Sequence, residues 1–303
     1  MRTTVAKLNK RLGDRLYSWA FLSPSLIGVM VFFIIPFFVV GYYAFIDSPV
    51  GQNFIWFQNF QRVLGNSAFQ DASVHTAMFS ALAVPLAVVL ALGLAVLLEQ
   101  KIPLKSQLRT FFLSPMMVPV ASIVLIWEVL FHQNGAVNEA VIQIGEATGW
   151  FDFGRGIDWF RSPFAQMPIV ILFLWRNLGY NMILFMAALN NIPRDLLEVA
   201  EIEGAGPFYT FRKIKLRFLS PTILFVTILS VINSFKVFRE VYLLTGRIPY
   251  GRLYLLQHYM NNMFQNLDYQ SLAAAAIMMA IVMVLIIGLM FIVEHRYGKD
   301  IEG

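Results

Sequence analysis

The chain has 303 residues, 58% of them hydrophobic and only 14% charged, with a net charge of +5. That is too little charge to solvate a water-soluble globule of this size, so much of the apolar surface must face lipid. No cysteine is present, which excludes disulfides, zinc-cysteine sites and thiol catalysis. The basic residues fall in short clusters between apolar runs, a distribution suited to anionic headgroups and unlike a nucleic-acid-binding face.

A basic segment, 1–18, comes first, and no charge then appears between Arg15 and Asp47. That run exceeds the roughly 20 residues a helix needs to cross the hydrocarbon core. It is also too long for a signal peptide and has no small-residue cleavage site, so it reads as a retained span over 19–46. The same reasoning predicts spans over 74–98, 110–131, 164–189, 219–243 and 270–293, within one membrane domain (19–293) followed by a tail, 294–303. The fold class is therefore an all-α integral membrane protein of about six helices. Pro24, Pro36, Pro85, Pro115 and Pro119 are candidate kinks. The run Ala273 to Ala276 reads as a packing surface.

Six spans put both termini on one side, and the positive residues decide which side that is. One side carries Arg2, Lys7, Lys10, Arg11 and Arg15; Lys101, Lys105 and Arg109; Arg194, Arg212, Lys213, Lys215 and Arg217; and Arg296 and Lys299. The other carries only Arg62, Arg155, Arg161, Arg247 and Arg252. Fifteen against five predicts cytoplasmic termini. In the outer loop 132–162, Val137, Ala140, Val141 and Ile144 have helical spacing, which predicts a short amphipathic helix at the interface. No linker, low-complexity tract or internal repeat is visible, which lowers the weight of the inverted-repeat carriers.

The largest cytoplasmic segment, 190–220, is different in kind. Pro193 suits a first helical turn, Leu196, Leu197 and Ala200 form an apolar set, Asp195, Glu198 and Glu201 project elsewhere, and Gly204 and Gly206 end the helix. Acidic residues are disfavoured beside anionic headgroups, so the helix reads as a docking surface for a basic protein partner.

Glu198-Val199-Ala200, then Gly204 and Ala205, then Phe208, Phe211 and Ile214 leading to Leu216, resemble the cytoplasmic loop of the permease subunits of type I ATP-binding-cassette importers. The family's second position is usually Ala, here Val199, and its usual Pro after Leu216 is Arg217. Trp175-Arg176-Asn177-Leu178-Gly179, Ala188-Leu189, Ile192-Pro193, Phe235-Lys236-Val237-Phe238 and Leu243-Leu244-Thr245-Gly246 resemble the carbohydrate-uptake branch, similar to maltodextrin-type permeases. Arg247-Ile248-Pro249 replaces that branch's usual Gly-Gly-Pro. The resemblance implies the type I importer permease fold in a bacterial or archaeal plasma membrane. It also implies a second permease subunit, two ATPase subunits docked on Glu198, Val199, Ala200, Gly204, Ala205 and Phe208, and an outer solute-binding protein. ATP and Mg would then be bound by the partner ATPase, with no cofactor held by this chain.

For the substrate path, the resemblance implicates the fourth and fifth spans, with Trp175, Arg176, Leu178, Gly179, Asn181 and Met182 on one and Asn233, Ser234, Lys236 and Val237 on the other. Sugar recognition needs polar donors and acceptors beside an aromatic face, which this set supplies. Arg176 has two readings, a path residue or a cation paired within the bundle. Glu240 lies four residues beyond Lys236, which predicts an ion pair between them. Glu128 and His75 read as interfacial. There is no phosphate loop, zinc-protease motif or dinucleotide fingerprint, so no means of hydrolysing ATP or of catalysis is evident. A glycerophosphate permease is the alternative within transport. An ion-coupled carrier or membrane enzyme would need a buried acidic relay, and the spans hold only Glu128 and Glu240, near one edge.

Overall fold

The computed structural model describes residues 18–100, 102–149 and 156–298. Among these the chain is helical, with no strand and one isolated bridge between Ile46 and Phe54. Among the described residues five helices are each long and apolar enough to cross a membrane, and the number is six if one bent pair is counted as a single span. The described residues divide into two compact units, one made of those within 1–65 and 263–281, the other of those within 66–262 and 282–303.

In the first unit, α1 (Ser18–Phe45) is an apolar helix whose side chains are almost all exposed, as expected of a surface meant for lipid or another membrane chain. A π-helical turn, Met30–Ile34, lies just before Pro36, which has no N–H to continue the regular ladder. The end of α1 is tied to α2 (Gln58–Leu64) by Asn59, whose Nδ2 donates to the carbonyls of Ala44 at 3.0 Å and Ile46 at 2.9 Å.

The second unit is built on α3 (Ser67–Glu99) and α7 (Gln166–Asn190). Along α3, Ala83, Ala87, Ala91 and Ala95 repeat every four residues and are fully buried, giving a smooth ridge that lets another helix approach closely. Val84, Val88 and Ala91 pack with Met182, Phe185 and Leu189 of α7 and with Leu219 and Val226 of α9 (Leu216–Lys236). Beyond Val237 the same path continues as α10 (Phe238–Thr245).

The expected third span, 110–131, is not one helix. α4 (Lys105–Met117) and α5 (Val120–Leu130) meet at 100°. Val118 and Pro119 between them are extended, since the proline ring pushes the preceding residue out of helical conformation. The outer amphipathic segment is the helix α6 (Ala136–Thr148). It packs on protein, not on the lipid interface alone: Val137 and Val141 lie against the aromatic cluster of Trp127, Phe131 and Trp159. Asn138 holds it there, donating to the carbonyls of His132, Gln133 and Ile157 and accepting from Ile157 N and Trp159 Nε1. In the remaining helices, α8 (Arg194–Ile202), α11 (Leu256–Gln265) and α12 (Tyr269–Gly298), the run Ala273 to Ala275 of α12 is buried.

Candidate functional site

Within the second unit a cavity of about 830 Å³ opens between α7 and the α9–α10 path. The lining follows helical periodicity on both walls. Phe173, Arg176, Asn177 and Tyr180 stand at i, i+3, i+4 and i+7 on α7, and Asn233, Lys236, Val237 and Glu240 repeat that spacing opposite. Met116 of α4, Phe238, Arg239 and Tyr242 of α10 and Gln257 of α11 complete the part of the wall that bears on recognition.

Four of the ten expected path residues, Arg176, Asn233, Lys236 and Val237, therefore meet at the cavity. The other six lie off that face. Trp175 packs against Trp127 in a tilted arrangement, with ring centroids 5.2 Å apart. Leu178 and Met182 belong to the apolar core. Asn181 donates to Ser230 Oγ at 3.0 Å, and Ser234 and Ser80 share a 2.8 Å hydroxyl contact, so both tie helices together. Gly179 lies against α4, where an added Cβ would collide with the main chain at Phe112. Tyr180, Phe238, Arg239, Tyr242 and Gln257 were not anticipated. Counting four residues on from Arg176, the charged residue inside this span, would have found Tyr180.

Electrostatics at the cavity differ from expectation in one respect. Glu240 pairs with Arg176, whose Nη1 donates to Glu240 Oε1, and not with Lys236. Glu240 is buried whereas Lys236 points into open space, and a carboxylate removed from solvent requires a partner that is itself withdrawn. Between them, Val237 has ψ of −12°, well short of regular helix, which loosens the i to i+4 relation. The second carboxylate oxygen, Glu240 Oε2, is buried without a hydrogen-bond partner among the described residues. Asn233 Nδ2 donates to Asn177 Oδ1 at 2.9 Å across the two walls, setting the amide orientations. Behind Phe238, His258 packs edge-on to its ring at 4.7 Å and accepts from Leu255 N through Nδ1. Burial pushes its pKa down to about 4, so the imidazole is neutral and its proton sits on Nε2. His75 Nδ1 lies 3.2 Å from Tyr254 O, and Glu128 is exposed.

The second candidate site is α8. Pro193 is its N-cap residue and not, as expected, within the first turn. Its far end closes as a Schellman motif: Ala205 N donates to Ala200 O at 2.8 Å and Gly204 N to Glu201 O at 3.0 Å. Gly204 has φ of +77°, a conformation glycine adopts without cost. The apolar residues fall on two faces, not on the one expected. Ala200 is buried and Leu197 packs on the core of the second unit, while Leu196, Val199 and Ile202 form an exposed row at spacing three. Glu198 is exposed beside that row, Ala205 is half-buried, and Phe208 is 73% exposed beyond the cap. Past this loop a second π-helical turn, Phe211–Lys215, leads into α9, and Lys215 Nζ bonds Glu99 at the end of α3 at 2.7 Å.

Known proteins resemble this chain in sequence and in fold. The lactose transport system permease protein LacF of Rhizobium radiobacter is 31% identical over 247 residues, covering 80% of either chain. The trehalose/maltose transport system permease protein MalF of Thermococcus litoralis is 30% identical over 233 residues, 75% of this chain and 76% of that one. A chain of the bacterial alginate ABC transporter, solved in complex with alginate pentasaccharide-bound periplasmic protein, superimposes with a TM-score of 0.82 at 20% identity. The match covers 96% of this chain and 98% of that one, a likeness of fold. Residues 83–299, which include both cavity walls and the whole of α8, match the family described as binding-protein-dependent transport system inner membrane component. The chain belongs to that family and is a permease subunit of an ABC transporter of this kind.

Proposed function

We propose that this chain is one membrane-spanning half of an ATP-driven importer for a sugar or oligosaccharide. A second permease subunit completes the pathway, two separate ATPase subunits bind ATP and Mg, and an outer solute-binding protein delivers the substrate. The observation that carries the sugar reading is the cavity between α7 and the α9–α10 path. There Tyr180, Phe238 and Tyr242 offer aromatic faces and Asn177, Asn233 and Gln257 offer amides, the combination that recognises a ring bearing hydroxyls. The names of the relatives, lactose and trehalose/maltose permeases among them, support the same substrate class.

In this mechanism the exposed row Leu196, Val199 and Ile202, flanked by Glu198 and continued by Phe208, seats on an ATPase subunit. Closure of the ATPases on ATP moves α8, and its buried face, Leu197 and Ala200, passes the movement to the helices around the cavity. The Lys215–Glu99 pair links the same loop to α3. The inward and outward mouths then open in turn. Both termini lie in the cytoplasm, on the side of α8.

The test is to solubilise the chain from its native membrane and identify what accompanies it, then to change Glu198 to Lys. An ATPase and a second permease should copurify. The E198K complex should insert normally and retain ATP hydrolysis while sugar uptake falls at least about tenfold, the cost of placing a like charge against a basic partner. Copurification without an ATPase, or unchanged uptake in E198K, overturns the coupling role.

A further inference from the structure

We infer that the substrate of this permease carries an anionic group, that is, an acidic saccharide bearing carboxylate, sulfonate or phosphate, bound through Lys236 and Arg239. The inference rests on the sugar reading above and narrows it. Three cations line the cavity, Arg176, Lys236 and Arg239, against a single carboxylate, Glu240. Arg176 and Glu240 neutralise each other across the two walls. Neither Lys236 nor Arg239 forms an ion pair with a carboxylate among the described residues. Both are exposed, and both face a void large enough for a saccharide unit.

Charges held within a membrane protein are costly and ordinarily paired. This wall shows how the chain neutralises a cation that serves structure: it buries its own Glu240 beside Arg176. Arg239 is adjacent to that glutamate in sequence and Lys236 is one turn away, yet neither shares it. The two unneutralised cations stand instead beside aromatic faces and a crosslinked pair of amides, Asn177 and Asn233. An ammonium and a guanidinium added to a carbohydrate platform are complementary to a sugar with a negative substituent. A neutral sugar would leave two desolvated positive charges without compensation in the occluded state.

The experiment uses the complete importer with its binding protein, reconstituted in proteoliposomes, and compares radiolabelled uptake of size-matched neutral oligosaccharides, uronate oligosaccharides and glycerophosphate. Acidic saccharides should accumulate at least tenfold faster than neutral ones, with KM rising as salt is added. In the Lys236→Gln/Arg239→Gln double variant, uptake of the acidic saccharide per assembled complex should fall at least tenfold, since a charge-assisted hydrogen bond is lost at each position. Arg239→Lys, which keeps the charge, should restore part of it. Preferential uptake of neutral saccharides overturns this inference and leaves the sugar reading standing, as does unchanged acidic uptake in the double variant. In that case Lys236 and Arg239 face carboxylates of the second permease. Uptake of glycerophosphate alone, or of no saccharide, overturns both.

Discussion

Arg176 and Glu240 show what a single pair contributes. Their helices are separate in the chain, the Glu240 side chain is 7% exposed and that of Arg176 26%, and each is the other's compensation. Removing one partner of a withdrawn pair leaves an uncompensated charge, at a cost of about 3 kcal/mol for a pair as accessible as this one. Glu240→Ala should therefore lower the thermal midpoint of the detergent-solubilised complex by several degrees. Arg176→Met with Glu240→Leu should recover most of that loss, because two apolar groups of similar volume leave no orphan charge. A double variant no more stable than Glu240→Ala would mean that the pair does not act as a unit. Arg176 was conspicuous in the sequence because a charge in an apolar span stands out. Its partner was not, since helix spacing offered the Glu240 carboxylate a nearer cation in Lys236 and nothing local revealed that Glu240 turns inward. Asn177, quoted for the family resemblance but not for the path, and Tyr180 were not among the expected path residues because an amide and a phenol inside a span attract less attention than a charge, although they share Arg176's helical face.

At the scale of elements, apolar runs of about 20 residues were legible because a membrane helix must satisfy its own backbone and cover its own length of hydrocarbon. What composition could not carry was the shape of a run. The segment Lys105 to Leu130 contains enough apolar residues for one helix, yet Pro119 forces Val118 extended and the two halves meet at 100°. The position of α4 relative to α7 depends in turn on Gly179. A Cβ there would meet the Phe112 carbonyl, a main-chain atom that cannot rotate aside. Gly179→Ala should therefore force the two helices apart and destabilise the bundle by about 2 to 3 kcal/mol, the upper part of the range for overpacking. The check is a comparison of thermal midpoints and assembled yield with Gly93→Ala, whose Cβ would meet no atom within 4 Å. Equal behaviour of the two variants would remove the case for close packing at Gly179. The family resemblance had placed Gly179 in the substrate path, and the physical reason for a glycine at that position is the approach of a neighbouring helix.

For the whole molecule, the proposed direction in which the helices cross the membrane rests on charge, because lysines and arginines in short loops resist translocation. The segments that hold α8 and the α3–α4 connection carry Arg194, Arg212, Lys213, Lys215, Arg217, Lys101, Lys105 and Arg109, and the segment that holds α6 carries only Arg155 and Arg161. The lack of cysteine makes this directly measurable, since any introduced thiol is the only one present. Two exposed acidic positions, expected on opposite sides under this proposal, serve as reporters, Glu139 on α6 and Glu201 on α8. Neither lines the cavity or belongs to the core. In intact cells a membrane-impermeant maleimide should label Glu139→Cys and spare Glu201→Cys; in inverted vesicles the pattern should exchange. The reverse pattern would put α8 outside the cell, where no ATP is available, and with it would fall the proposal that this helix receives the ATPases. Labelling of both thiols from one side would instead break the alternation between α6 and α8, and would mean that α7 fails to cross despite its 25 residues.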